Sequence, residues 1–253
     1  MLIPIPSQKK RFRLLLTIRA FDAVSVGIVV YDPSYAYTDY FRRKINFTEE
    51  RLAQKDGNKR VITVDFPVSA ELLYLEVYNK LSGGDDGFEL SVAFAPCRTT
   101  EVWASPAQHR FMDFAIGFAQ RAGHIATGFY PSVGHEFLIQ YLPTIRDEQG
   151  NELVTPARIH RHMPRVQLSQ KLFRQYSIPV RVAILAHESC HFFLNTRSEK
   201  TADLCGINYY LSYGFPKIEA VYAATQVFNQ HPESVGQAHV QRAKDIMAFI
   251  DGF

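Results

Sequence analysis

Ala186-His187-Glu188-Ser189-Cys190-His191, followed after a short break by Arg197-Ser198-Glu199-Lys200-Thr201-Ala202-Asp203, lies in an apolar stretch of the chain. Ser177 and Pro179 mark a helix start, with the proline in the first turn. The apolar residues that follow, Val180, Val182, Ala183, Ile184, Leu185, Phe192 and Phe193, fall on nearly every side of that helix. Such a pattern predicts a central helix packed on several faces, in which each polar side chain needs a reason to be present. His187 and His191 are four residues apart, so their rings stand one turn apart on the same face.

Two imidazoles so placed can hold one divalent metal ion, and Glu188, rotated by about 100° around the helix from His187, leans over it. Hydrolytic zinc sites commonly take three protein ligands and keep a fourth position for water, whose pKa falls to about 7. His187 and His191 are therefore candidate ligands, and Glu188 is the candidate general base that takes the proton of the water and returns it to a leaving amine. Glu199 is the first candidate for third ligand, because the Asn195–Ser198 turn can fold the next helix back over the metal. Asp203, one turn farther on, is placed to accept an N–H from a ligand histidine. Thr196-Arg197-Ser198-Glu199 also spells a capping box, in which Glu199 would instead bond the Thr196 amide and Asp203 would substitute as ligand. Gly206 would permit close helix packing. Cys190 points away from the shared histidine face and is read as packing. His124, His135, His160, His162, His231 and His239 have no comparable ligand spacing, and one of them, or one of Tyr209, Tyr210 and Tyr213, is left as a candidate oxyanion partner.

Upstream, the first hundred residues read as β structure. Val24–Tyr31 and Val61–Phe66 are rich in β-branched and aromatic residues, while Leu73, Leu75 and Val77 alternate with Tyr74, Glu76 and Tyr78. Phe88, Leu90, Val92 and Phe94 alternate in the same way, and the turn-rich Ser82-Gly83-Gly84-Asp85-Asp86-Gly87 between these runs predicts a hairpin with a longer loop. The fold class expected is α+β: residues 1–100 as an antiparallel β-sandwich-like domain and 101–253 as a mainly helical, zincin-like domain with a small mixed sheet. The natural boundary lies near Arg98 to Ser105. Beyond it, Ser105-Pro106 opens a helix with Phe111, Ala115 and Phe118 on one face, and Glu136–Leu142 and Arg165–Ser169 read as strands flanking a basic, histidine-containing segment. Either of those two strands would serve as the sheet edge beside the central helix, to which an extended peptide could add. A third helix should stop at Gly214-Phe215-Pro216. Two amphipathic helices close the chain, one with Ala220, Val221, Ala224 and Phe228 on a face, the other with Val240, Ala243, Met247 and Ile250.

At 253 residues and 47% hydrophobic composition the chain can bury a sizeable core. Its 28 basic and 25 acidic residues are interspersed, without the basic stripe that marks nucleic-acid binding, so no specific nucleic-acid partner is expected. No apolar run is long enough for a membrane span, and Met1 to Gln8 lack the core of a secretory signal. Cys97, Cys190 and Cys205, odd in number and in apolar surroundings, suit reduced, buried thiols and a cytoplasmic location.

The order Ala186-His187-Glu188-Ser189-Cys190-His191, Glu199-Lys200-Thr201-Ala202-Asp203, Gly206 and Gly214-Phe215-Pro216 resembles the HExxH, ExxAD, G and GYxP elements of the HtpX-like and CAAX-endopeptidase-like gluzincins, zinc metallopeptidases. His231-Pro232 and Arg242 resemble that family's closing elements. The resemblance covers about Val180 to Ile250, and seven residues separate His191 from Glu199, fewer than in those relatives. It implies a zincin fold, Zn2+ as cofactor, endopeptidase activity on a peptide or protein substrate, His187, His191 and Glu199 as ligands, Glu188 as base, and Asp203 behind the ligands. An alternative of another class is a structural protein, for example a ring or connector component of a virus particle, which uses the zincin-like domain as scaffold and forms a homo-oligomer or larger assembly through the N-terminal β domain. It is motivated by that domain's lack of chemistry and the plentiful Tyr and Phe.

Overall fold

The computed structural model describes residues 1–97, 104–160, 162–223 and 237–252. The chain is α+β and divides into two compact units, Met1–Thr99 and Thr100–Phe253. The boundary segment lies mostly outside the described residues.

The first unit is built from β1 (Leu2–Ile5), β2 (Phe12–Ala20), β3 (Val24–Tyr31), β4 (Asp39–Phe47), a short helix α1 (Glu49–Leu52), β5 (Lys59–Phe66), β6 (Leu73–Asn79) and β7 (Phe88–Ala95). These strands form two antiparallel sheets, ordered β1-β6-β3-β4 and β5-β2-β7. Alternation sets the buried faces: Leu14, Leu16 and Ile18 on β2, and Leu73, Leu75 and Val77 on β6, are wholly buried, while their neighbours are partly exposed. The inner strand β3 is buried on both sides, which its small and β-branched residues from Val24 to Val30 allow.

The hairpin expected between β6 and β7 does not form, because the two strands belong to different sheets. The intervening loop leaves one sheet with the Lys80 amide on the Ser25 carbonyl and enters the other with the Gly87 carbonyl receiving the Phe21 amide. An apolar alternation specifies which face is buried and carries no information about the hydrogen-bonding neighbour.

The second unit contains α2 (Pro106–Arg121), β8 (Gly128–Pro131), β9 (Leu138–Leu142), β10 (Ala157–His160), β11 (Arg165–Ser169), α3 (Gln170–Phe173), α4 (Ile178–Phe193), α5 (Glu199–Ser212), α6 (Lys217–Tyr222) and α7 (Gln237–Gly252). Helix α2 starts with a complete capping box between Ser105 and Gln108. The sheet is ordered β10-β11-β9-β8 and is mixed, since β11 and β9 run parallel while the outer pairs are antiparallel.

Neither strand expected at the edge lies there. Arg165–Ser169 and Leu138–Leu142 are the two inner strands, and the edge packed on α4 is β10, inside the basic segment that reads as a connection. Of the closing helices, Ala220 and Ile250 are buried but Met247 is 42% exposed and Ile246 takes the inner position. Ala224, Phe228, His231 and Pro232, and the side chains of Val240, Arg242 and Ala243, lie outside the described residues. No described helix is long and apolar enough to cross a membrane.

Helix α4 is the axis of this unit, packing against α2, α5, α6 and β10. Every residue from Ile178 to Ala186 is buried. Its one cation in that stretch, Arg181, is fully buried and donates to the carbonyls of Phe173, Ala119 and Arg174 at 3.2, 3.1 and 2.7 Å, which ties α4 to α2 and α3.

Candidate metal centre

The end of α4 and the start of α5 are joined by a turn whose form follows from Asn195. With φ at +45°, Asn195 occupies the left-handed region just past the helix, a position that asparagine tolerates. Its amide bonds the Phe192 carbonyl at 3.1 Å and the Thr196 amide bonds the His191 carbonyl at 3.1 Å, the paired bonds of a Schellman turn. The turn reverses the chain quickly enough for the seven-residue connection to bring α5 back across α4. Ser198 caps α5 by accepting from the Thr201 amide. The capping box on Thr196 does not form, because the Schellman turn takes the Thr196 amide.

Close approach of the two helices depends on Gly206. A Cβ placed there would lie 2.7 Å from both the Cα and the N of His187 and 3.1 Å from the carbonyl carbon of Ala186. A second tie crosses nearby: Cys190 and Cys205 form a disulfide, and Cys190 is fully buried. The expectation of reduced thiols therefore fails for this pair. A separation of 15 residues looks unremarkable in sequence, and only the antiparallel return of α5 brings the two sulfurs together. Cys97 is free.

Within this frame the Nε2 atoms of His187 and His191 are 3.1 Å apart, and the two oxygens of Glu199 lie 3.5 Å from His187 Nε2 and 3.6 Å from His191 Nε2. Ligands at about 2.05 Å from a tetrahedral zinc stand roughly 3.3 Å from one another, so the triangle has the size that one ion needs. Among the described residues this is the group of three ligating side chains that converges. The other face of each ring is held. His191 Nδ1 donates to the Thr196 carbonyl at 2.9 Å, and His187 Nδ1 lies 2.9 Å from Oδ1 of the fully buried Asp203, a short contact without ideal hydrogen-bond alignment. Both contacts leave Nε2 to face the common point. The histidines are buried, whereas the Glu199 side chain is 56% exposed, so the site opens to solvent on the Glu199 side.

The charges follow from these contacts. Burial alone would pull the His187 imidazolium down, but its bonds to Asp203 and Glu199 outweigh burial and hold its pKa up at about 9. His191 is raised, chiefly by Glu199. The two imidazoles hold the Glu199 carboxyl well below the usual carboxylate range. Glu188, half-buried, is pushed above that range by desolvation, against the opposing pull of His187, His191 and the Ile159 amide. A carboxyl raised in this way is suited to accept and then return a proton near neutral pH.

The Ile159 amide is a site group that no side-chain pattern announces. The Ser169 amide bonds the Pro156 carbonyl, which makes Arg158 and His160 the residues of β10 that bond across to β11. The amide and carbonyl of Ile159 therefore point outward along the open edge, and the amide meets Glu188. The Thr196 carbonyl is likewise a backbone group, foreshadowed only by Asn195. Other candidates are placed elsewhere. The Tyr210 hydroxyl donates to the Pro216 carbonyl and that of Tyr213 pairs with His109 Nδ1, both at the far end of α5, about 16 Å or more along the helix from Glu199. His160 and His162 pack on each other.

Asp203→Asn should lower metal affinity by about 10–100-fold while leaving the chain folded, measured by competition with a chromophoric chelator. The pH dependence supplies a second readout. In the metal-free protein the raised His187 pKa stabilises the fold below pH 6.5, a contribution lost as pH climbs through about 9. Metal requires the neutral ring, so uptake at neutral pH expels a proton and affinity rises with pH toward 9. Loss of the Asp203 carboxylate should flatten that rise; an unchanged profile would show that Asp203 does not act through His187.

Compared with known families, characterised proteins and solved structures, the chain shows no significant match.

Proposed function

We propose that the chain is a zinc-dependent endopeptidase. The observation that carries this reading is the convergence of His187 Nε2, His191 Nε2 and the Glu199 carboxylate within 3.1–3.6 Å of one another, beside Glu188, a carboxyl that faces the Ile159 amide on an open strand edge. The donor set of two imidazoles and a carboxylate suits zinc, and the order of the motifs is similar to that of the HtpX-like gluzincins with their zincin fold. Zinc held by His187, His191 and Glu199 would supply a water of lowered pKa and polarise the scissile carbonyl.

The remaining work belongs to the chain's own residues. An extended peptide adds to β10, with the outward carbonyl of Ile159 as one hydrogen-bond partner, and so runs past Glu188. Glu188 takes a proton from the attacking water as the bond from water oxygen to carbonyl carbon forms. It then delivers that proton to the amide nitrogen as the C–N bond breaks, so the products are a carboxylic acid and an amine. Asp203 and the Thr196 carbonyl keep both rings turned to the metal throughout.

Elemental analysis of the purified full chain should find about one zinc per chain, and cleavage of an unfolded protein should stop on chelation and return with zinc. A chain that takes up no zinc on reconstitution, or cleavage indifferent to chelation, removes the proposal.

A further inference from the structure

On one side of the sheet, a cavity of about 440 Å³ is lined by Arg146, Arg158, His160, Arg165 and Gln167, with Ile159 and the acidic Asp147 and Glu148. The cross-strand pairs Arg158↔Gln167 and His160↔Arg165 put these four side chains on one face, opposite the buried Ala157, Val166 and Leu168. Arg146 joins them from the loop after β9. Three guanidinium groups thus share one hollow. Arg146 donates to the Gly150 carbonyl and Arg158 donates twice to Gln167 Oε1, and among the described residues no carboxylate forms an ion pair with any of the three. Asp147, beside them, turns its carboxylate into its own loop, where it accepts from the amides of Gln149 and Asn151 and from the Asn151 side chain. Glu148 also lines the hollow, with its side chain exposed to solvent. Arg146 and Arg158 are exposed and Arg165 is half-buried, so the three cations are open to an incoming anion, and their planar forks match carboxylate geometry.

The hollow is joined to the candidate metal centre through one residue: Ile159 lines it, and its amide faces Glu188. Side chains of a strand added to β10 alternate between the two faces of the sheet, so every second side chain is directed to the arginine face. We infer that Arg146, Arg158 and Arg165 form a subsite for an acidic side chain of the peptide, and that the substrates of this chain carry Asp or Glu beside the scissile bond. The inference rests on the peptidase reading, which it extends to a substrate class.

The test is binding of two fluorescent peptides to the zinc-loaded full chain carrying Glu188→Gln, followed by anisotropy at low ionic strength. One peptide carries Glu at alternate positions and the other carries Gln in their place. The acidic peptide should bind about 10-fold or more tightly than its neutral counterpart, and Arg158→Gln with Arg165→Gln should erase the difference. Arg146→Gln, on a separate loop, should reduce it and serves if the double variant does not fold. Equal affinities of the two peptides, or a preference that survives these substitutions, overturns the subsite whatever the chain cleaves. A charge-dependent preference with no cleavage by the unaltered chain leaves the subsite standing and removes the peptidase reading.

Discussion

Glu188→Gln should retain zinc at the level of the unaltered chain and lose peptide hydrolysis by about 10²–10⁴-fold, the range over which a positioned general base acts. The two side chains are nearly isosteric, and Glu188 is not among the three groups that converge on the metal position. The amide cannot take a proton from water, although it can still accept the Ile159 N–H through its oxygen. The expected loss corresponds to about 3–5 kcal/mol of transition-state stabilisation. Burial holds the Glu188 carboxyl above its ordinary range, so the acidic limb of the rate profile should lie higher than that of a free carboxylate and should disappear in the variant. Zinc content and single-turnover cleavage, measured on the same preparation, check the expectation. Undiminished cleavage with full zinc would assign the base to another group.

Gly206→Val should cause the largest structural loss. The added side chain begins 2.7 Å from two backbone atoms of His187, and the neighbouring helix cannot yield there as a flexible side chain would. Relief requires α4 and α5 to separate, and separation moves Glu199 and Asp203 on α5 away from His187 and His191 on α4. A destabilisation of about 1–3 kcal/mol or more is expected, together with zinc content falling well below that of the unaltered chain. Gly206→Ala should do the same to a lesser degree. Thermal unfolding and elemental analysis of both variants check this, and a Gly206→Val chain that melts normally with full zinc would mean that the helices are not so closely opposed.

How much could be read from sequence depends on how local each signal is. Helix α4 is legible because a proline in its first turn and a helical spacing of its residues lie close together, and α5 because it is bounded by the breaks at Asn195-Thr196 and Gly214-Phe215-Pro216. The helical spacing is also what sets His187 beside His191. Strand β10 is not legible: it is four residues long, follows Pro156, and shows solvent Arg158 and His160, with only Ala157 and Ile159 alternating with them. It holds its place through pairing with β11, a tertiary fact. The same holds for β6 and β7, whose apolar faces are evident but whose partners are β3 and β2 respectively. Strands β2 and β4 also escape a reading that looks for clean alternation, since charged and polar residues interrupt them, and β1 escapes it because it is four residues long and contains Pro4. The Cys190–Cys205 bond and the Ile159 amide depend on chain segments that meet only after folding.

The cross-link between Cys190 and Cys205 encloses His191, Glu199 and Asp203 in a single covalent ring. Even in the denatured ensemble these three side chains stay tethered, and closing a ring of this length removes roughly 3 kcal/mol of chain entropy that an open chain would forfeit on ordering. Two of the three candidate ligands, His191 and Glu199, are therefore gathered before α4 has found its neighbours, and cleaving the ring with a reductant should loosen those two first.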